Sequence, residues 1–177
     1  MMAVRKAPRI HRKKGEFHFE WLKDLDRPLW RATQERVRAE KLAAPPAPIV
    51  ASDIDASYVA MAQKSALKAR VEKYMTFATR RFQDCEPCAA SGLLVTNLPY
   101  GDRIGSREGD VRQLYEAVGD TLKSKFSGWQ AAILAASASP YKSIGLRPSR
   151  TLALMNGSIP CKLLLFELYA GSRRATT

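Results

Sequence analysis

The sequence predicts an α/β fold: an open, mostly parallel sheet that closes with a C-terminal antiparallel hairpin. Three observations predict it. From about residue 49 onward, short apolar runs alternate with stretches of helical periodicity. Several runs end in polar clusters, as strands do where they turn into helices. Near the C-terminus two apolar runs flank Asn156-Gly157, a strong short-range hairpin signal. The 177 residues are 46% hydrophobic and 26% charged, which suits one ordinary domain with a packed core. That composition excludes wholesale disorder, collagen and coiled coil.

The elements follow in order. Residues 1–16 form a basic arm carrying Arg5, Lys6, Arg9, Arg12, Lys13 and Lys14, with no acid before residue 16. It is either a solvated tail or a phosphate-binding arm. Residues 17–47 are a helical segment and a Pro-rich connector. Trp21, Leu22, Leu25, Leu29 and Trp30 recur at three- and four-residue steps, and Pro28 interrupts them, predicting two shorter helices. Ala44-Pro45-Pro46-Ala47-Pro48 is a stop and a short stiff link.

The core is expected over 48–170. A strand at 49–51 runs into Ser52-Asp53-Ile54-Asp55. A helix over 57–70 follows, with Tyr58, Met61, Ala62, Ser65 and Ala69 as its inner face. Strands at 75–78 and 93–96 come next, then the polar loop Asn97-Leu98-Pro99-Tyr100-Gly101-Asp102-Arg103. The helix over 111–126 sets Val111, Leu114, Tyr115, Val118, Leu122 and Phe126 on one side. The continuous apolar run 129–136 reads as a buried strand. Strands at 151–155 and 159–169 form the hairpin, placing one reversed strand near the edge of the sheet. Residues 171–177 are a tail, and no internal repeat is present.

Charge narrows the partners. Lys and Arg total 29 against 17 Asp and Glu, a formal net charge of +12. Such an excess points to a polyanion: RNA, DNA or an anionic membrane. No run of about 18 apolar residues suggests a membrane span, and no apolar stretch follows the basic start as in a secretory signal. Three cysteines fit a reducing compartment, so a cytoplasmic protein is expected. Cys85 and Cys88 form C-x-x-C, but Cys161, His11 and His18 are too scattered to complete a site, so no metal is expected.

In open α/β sheets, ligands bind beyond the carboxyl ends of the strands. Two polar clusters belong there. An acid after the first strand can accept hydrogen bonds from both hydroxyls of a ribose. Asp53 and Asp55 can equally be helix N-caps, and both roles can hold together, with Asp55 nearer the cap. In the second cluster, Asn97 supplies a side-chain carbonyl, Pro99 stiffens the backbone and Tyr100 offers a flat face. Such a loop can hold an exocyclic amine while its ring stacks on Tyr100. A plain turn is the alternative.

The stretch Asn97-Leu98-Pro99-Tyr100-Gly101-Asp102-Arg103 resembles the N-P-P-Y-G-E-R loop of amino-directed, S-adenosylmethionine-dependent methyltransferases. The chain is most similar to the THUMP-associated RNA guanine-N2 methyltransferases, and among them to bacterial enzymes of 23S ribosomal RNA. Further matching segments run in the same order. They include Ala7-Pro8, Arg12, Phe17-His18-Phe19-Glu20-Trp21, Ser52-Asp53-Ile54-Asp55, Lys125-Phe126-Ser127-Gly128-Trp129, Leu146-Arg147 and Asn156-Gly157-Ser158-Ile159-Pro160-Cys161. The resemblance implies a class I, Rossmann-like methyltransferase sheet and S-adenosylmethionine as cofactor. It implies that Asp53 and Ile54 hold the cofactor, with Asp84 and Asn97 contributing. Asn97 and the Leu98 carbonyl would accept from the guanine amine, Pro99 would shape the loop, and Tyr100 would stack on a flipped base. The basic arm and Arg103 would contact RNA, ribosomal RNA rather than tRNA. The amine would attack the sulfonium methyl in line as the methyl–sulfur bond breaks and the thioether leaves, with no metal.

The sequence also departs from the family. Position 98 is Leu where Pro is commonest in the ribosomal branch. Arg81 stands where an acid near the adenine amine is expected, leaving Asp84 as the alternative acceptor. No G-x-G occurs, so the glycine-rich cofactor loop and the first strand are missing, as is a THUMP domain. Three accounts are open: a fragment of a longer protein, a split enzyme completed by a second chain, or a relic that binds RNA without methylating it. A sheet lacking its first strand exposes two edges, so self-association is expected. The alternative function is a non-catalytic RNA-binding module; adenine N6 or a protein glutamine amide are weaker alternative targets.

Overall fold

The structure, a computed structural model, describes residues 17–40, 42–99 and 108–169. It has two compact units, 1–80 and 81–177.

The first unit opens with a one-turn 3-10 helix, His18–Trp21, and then α1, Arg27–Ala39. The two shorter helices expected from Pro28 are both present, with the break falling before Pro28. Pro28 lies in the first turn of α1, where a missing N–H costs nothing, and Asp26 Oδ1 accepts the Leu29 N–H at 2.9 Å. Proline therefore marks the start of one helix. The expected apolar stripe does not form. Trp21, Leu22 and Leu29 are exposed, whereas Phe17 and Phe19 stack at 5.3 Å and both meet the edge of Trp30.

Strands β1, Ile49–Asp53, and β2, Met75–Thr79, pair in parallel, joined through α2, Ala56–Lys68. Val59, Ala66 and Val71 are buried, and Ile49, Met75 and Phe77 pack around Ala66 and Val71. The inner face of α2 is thus Val59 and Ala66, spaced by two turns. Tyr58 and Met61, expected inside, are exposed, as are Ala62 and Ser65. Beyond α2, Arg70 takes a left-handed φ of 56°. The Arg70 N–H donates to Leu67 O at 2.9 Å and the Val71 N–H to Ala66 O at 3.0 Å, which closes the helix.

The second unit holds β3 (Leu93–Asn97), α3 (Glu108–Lys125), β4 (Gln130–Ala136), β5 (Arg150–Asn156) and β6 (Ile159–Glu167). The strand order is β3-β4-β6-β5. β3 and β4 are parallel, and β6 is reversed against both β4 and β5. The hairpin turns at Gly157, whose φ of 62° lies where glycine is unstrained. Tyr115, Val118 and Leu122 of α3, with Phe126 just after it, pack on Ala131, Ile133, Leu164 and Phe166, the inner face expected for this helix. Trp129 Nε1 donates to Ala89 O at 3.0 Å, and Lys125 Nζ to Gln83 O at 2.9 Å. These bonds hold segment 83–89 to the end of α3.

The expected single open sheet is two sheets among the described residues. Among the described residues β1 pairs only with β2, and β3 only with β4. On β3, Leu93 and Val95 are left 60% and 69% exposed. No helix among the described residues is long and apolar enough to cross a membrane.

Candidate functional site

Two strand ends carry the residues singled out in the sequence. At the carboxyl end of β1, Asp53 Oδ1 accepts the Asp55 N–H at 2.9 Å. Among the described residues its Oδ2 has no partner, so an exposed acceptor remains available. Asp55 accepts the Ser57 N–H at 2.7 Å and caps α2. The Ser57 hydroxyl, then its backbone N–H, hold the Asp55 carboxyl below its ordinary range. Two acids two residues apart therefore do different jobs: Asp55 is committed to the helix, and Asp53 faces outward. Ile54 between them is 68% exposed.

At the carboxyl end of β3 the chain alternates. Asn97 is exposed, Leu98 is buried in the core and Pro99 is half-buried. The Leu98 N–H donates to Leu134 O of β4 at 3.1 Å, lengthening the ladder by one bond. Proline has no N–H, so only a residue such as leucine makes this bond while burying an aliphatic side chain. The Pro99 carbonyl accepts from the Tyr115 hydroxyl at 3.3 Å. Asn97 thus projects from a stretch of backbone tied down on both sides.

Asp84 ends a one-turn helix, Phe82–Asp84, in the second unit. Arg81 donates to both of its oxygens, Nε to Oδ2 at 3.0 Å and Nη2 to Oδ1 at 3.2 Å. The pair raises the Arg81 pKa, first through the hydrogen bond and then through charge. Asp84 is therefore neutralised by the residue that stands where an acid was expected. Asp53 and Ile54 belong to the first unit, and Asp84, Asn97, Leu98 and Pro99 to the second. Tyr100, Arg103, Arg5, Lys6, Arg9, Arg12, Lys13 and Lys14 lie outside the described residues.

Sequence reasoning missed two polar features of the second unit. Tyr115 reads in the sequence as one more member of an apolar helix face, and only the fold shows its hydroxyl reaching Pro99. The other is Lys162, beside the end of β4, which donates to the Tyr141 hydroxyl at 2.5 Å and lowers the phenol's pKa. Their separation of 21 residues left no signal. Cys85 is half-buried, Cys88 exposed and Cys161 buried. Among the described residues no three His, Cys, Asp or Glu side chains gather as metal ligands would.

The model of the family described as UPF0020, RMKL-like, methyltransferase domain, matches residues 1–164. The chain belongs to this family. A Synechocystis protein, whose name proposes an RNA methyltransferase, is 35% identical over 153 residues, 86% of this chain and 40% of its own length. Ribosomal RNA large subunit methyltransferase K/L of Shewanella oneidensis is 32% identical over 180 residues, all of this chain and 25% of its own length. The chain thus spans well under half of the curated relatives it matches. A proposed methyltransferase solved in complex with SAH covers 90% of this chain with TM-score 0.74 at 24% identity, using 41% of its own length. A proposed methylase of Clostridium difficile 630 covers 91% with TM-score 0.74 at 21% identity, using 42% of its own. These two likenesses show the fold, the α/β fold of class I methyltransferases.

The fit to S-adenosylmethionine differs along the molecule. Asp53 Oδ2 suits the ribose hydroxyls. Asp84, already engaged by Arg81 on both oxygens, is a poor acceptor for the adenine amine. The sequence has no G-x-G to offer backbone N–H groups to the methionine end.

Proposed function

We propose that this chain is the catalytic segment of an S-adenosylmethionine-dependent RNA methyltransferase that acts on guanine N2, with 23S ribosomal RNA as substrate, in the cytoplasm. The observation that carries this is the end of β3. Asn97 is presented outward while Leu98 and Pro99 are held. Family membership, the names of the relatives and the net charge of +12 support the same reading.

The cofactor, when bound, supplies an electrophilic methyl group. The chain supplies position and charge. Asn97 Oδ1 and the Leu98 carbonyl accept the two amine hydrogens, which orients the nitrogen lone pair. The same oxygens ease positive charge as it develops on that nitrogen. Most of the rate enhancement then comes from holding the amine in line. Asp53 takes the ribose, Tyr100 stacks on the flipped base, and Arg103 with the basic arm contacts phosphates. The domain division in this reading is a basic arm over 1–16, a helical segment and connector over 17–47, a partial methyltransferase core over 48–170 and a tail.

The second reading is a non-catalytic RNA-binding module. The Arg81–Asp84 pair favours it, because it occupies the acceptor expected for adenine. In either reading, the edges of β1 and of β3 left unpaired among the described residues are where a second chain or another copy would pair.

Titrating S-adenosylmethionine into the purified chain by calorimetry separates the two. Micromolar binding, with methyl transfer to 23S RNA abolished by Asn97→Ala and RNA affinity kept, supports the enzyme. No binding, with RNA still held, supports the module.

A further inference from the structure

We propose that Tyr115 is a positioning residue for methyl transfer, its hydroxyl holding the backbone that aims the Leu98 carbonyl. This rests on the enzyme reading above. Tyr115 is completely buried in the middle of α3, among the largest enclosed side chains of the core. Phenylalanine would fill the same space without carrying a polar atom into it. A buried phenol needs a partner, and this one donates to the Pro99 carbonyl.

The position of that bond matters. Leu98 is tied by its N–H to Leu134 of β4, and Pro99 by its carbonyl to Tyr115. The peptide unit between these two anchors is the one whose oxygen is the Leu98 carbonyl, the proposed acceptor. Peptide units are planar and the proline ring fixes φ at residue 99, so few torsions remain free between the anchors. The Leu98 carbonyl cannot swing without breaking one bond or the other. In this role Tyr115 acts through the backbone it holds, setting the direction of the group that accepts the amine.

The test compares the full chain with Tyr115→Phe, using Asn97→Ala as the control for the chemistry. Two readouts are needed. One is hydrogen exchange of peptides containing Leu98. The other is steady-state methyl transfer from S-adenosylmethionine to 23S RNA. In Tyr115→Phe, exchange at Leu98 should rise about two- to tenfold, while β4 and the melting temperature stay unchanged. Turnover should fall about tenfold or more, with KM for both substrates within about twofold. A merely structural role would instead lower the melting temperature and leave the split between kcat and KM untouched. Unchanged exchange overturns the proposal, and so does faster exchange with full turnover. Full turnover by Asn97→Ala overturns the placing of the amine at the end of β3, whereas no methyl transfer by the parent chain overturns the enzyme reading itself, and exchange then still decides whether Tyr115 anchors the loop.

Discussion

Gly119 lies midway along α3, where an added Cβ would stand 1.8 Å from the Ile144 carbonyl oxygen. The turn Tyr141–Ile144 rests on the helix only because this position has no side chain. Gly119→Ala gains helix propensity but meets backbone, which cannot give as a flexible side chain can. Destabilisation of about 1–3 kcal/mol is expected from overpacking, read as a lower melting temperature. Gly109→Ala is the control, since nothing lies within 4 Å of its Cβ, and it should not lower the melting temperature. Asp55 gives a pH prediction. Its folded pKa lies below the unfolded value, so its contribution is complete above the unfolded pKa and is lost as pH falls through the folded one. Asp55→Ala should therefore be less stable than the parent at neutral pH. Melting curves should converge as pH drops below about 4.

The elements were legible to different depths. The periodicity of α3 placed its core face, because one helix face meets one sheet and nothing competes. In and just after α2 the same reasoning placed only Ala69 against the core: Tyr58 and Met61 are larger, but Val59 and Ala66 are the residues turned inward. Two apolar faces were available, and their hydrophobicity alone could not say which would meet β1 and β2. Pro28 was ambiguous for a similar reason, since the same ring breaks a helix interior and suits its first turn. The close of α2 yields a prediction of its own. Arg70 bears the strain of a left-handed residue, which glycine would not. Arg70→Gly should raise stability by about 0.5–1 kcal/mol, measured by denaturant unfolding at constant m-value.

For the whole molecule, the split sheet governs behaviour. Strands β1 and β3 each leave one edge unpaired among the described residues, and Leu93 and Val95 bring apolar surface to one of them. Parallel strands are ordinarily covered on both faces, so this edge favours pairing with another chain. Light scattering should show a mass that rises with concentration; a monodisperse monomer would refute this. Charge acts at the same scale. Replacing the Lys and Arg residues of positions 5–14 with alanine should weaken RNA binding irrespective of sequence and flatten its salt dependence. An unchanged slope would reduce the arm to a solvated tail.

The sequence by itself determined the α/β class, the order of the strands along the chain, the polar loop after β3 and the family. Those rest on local patterns: apolar runs, turn residues and motif spacing. It left Asp53 and Asp55 both open as helix caps, with Asp55 the nearer, and the structure gave the cap to Asp55. Only the tertiary structure decided that Tyr115 reaches Pro99, that Arg81 occupies Asp84, that Leu98 adds a bond to Leu134, and that the sheet divides. The physical reason is common to the first and third. A hydrogen bond between residues 16 or more apart depends on which strands become neighbours, and no periodicity within either segment records that. Arg81 and Asp84 are three apart, but a long exposed side chain has many rotamers, and its choice of partner appears only when the one-turn helix brings the two together.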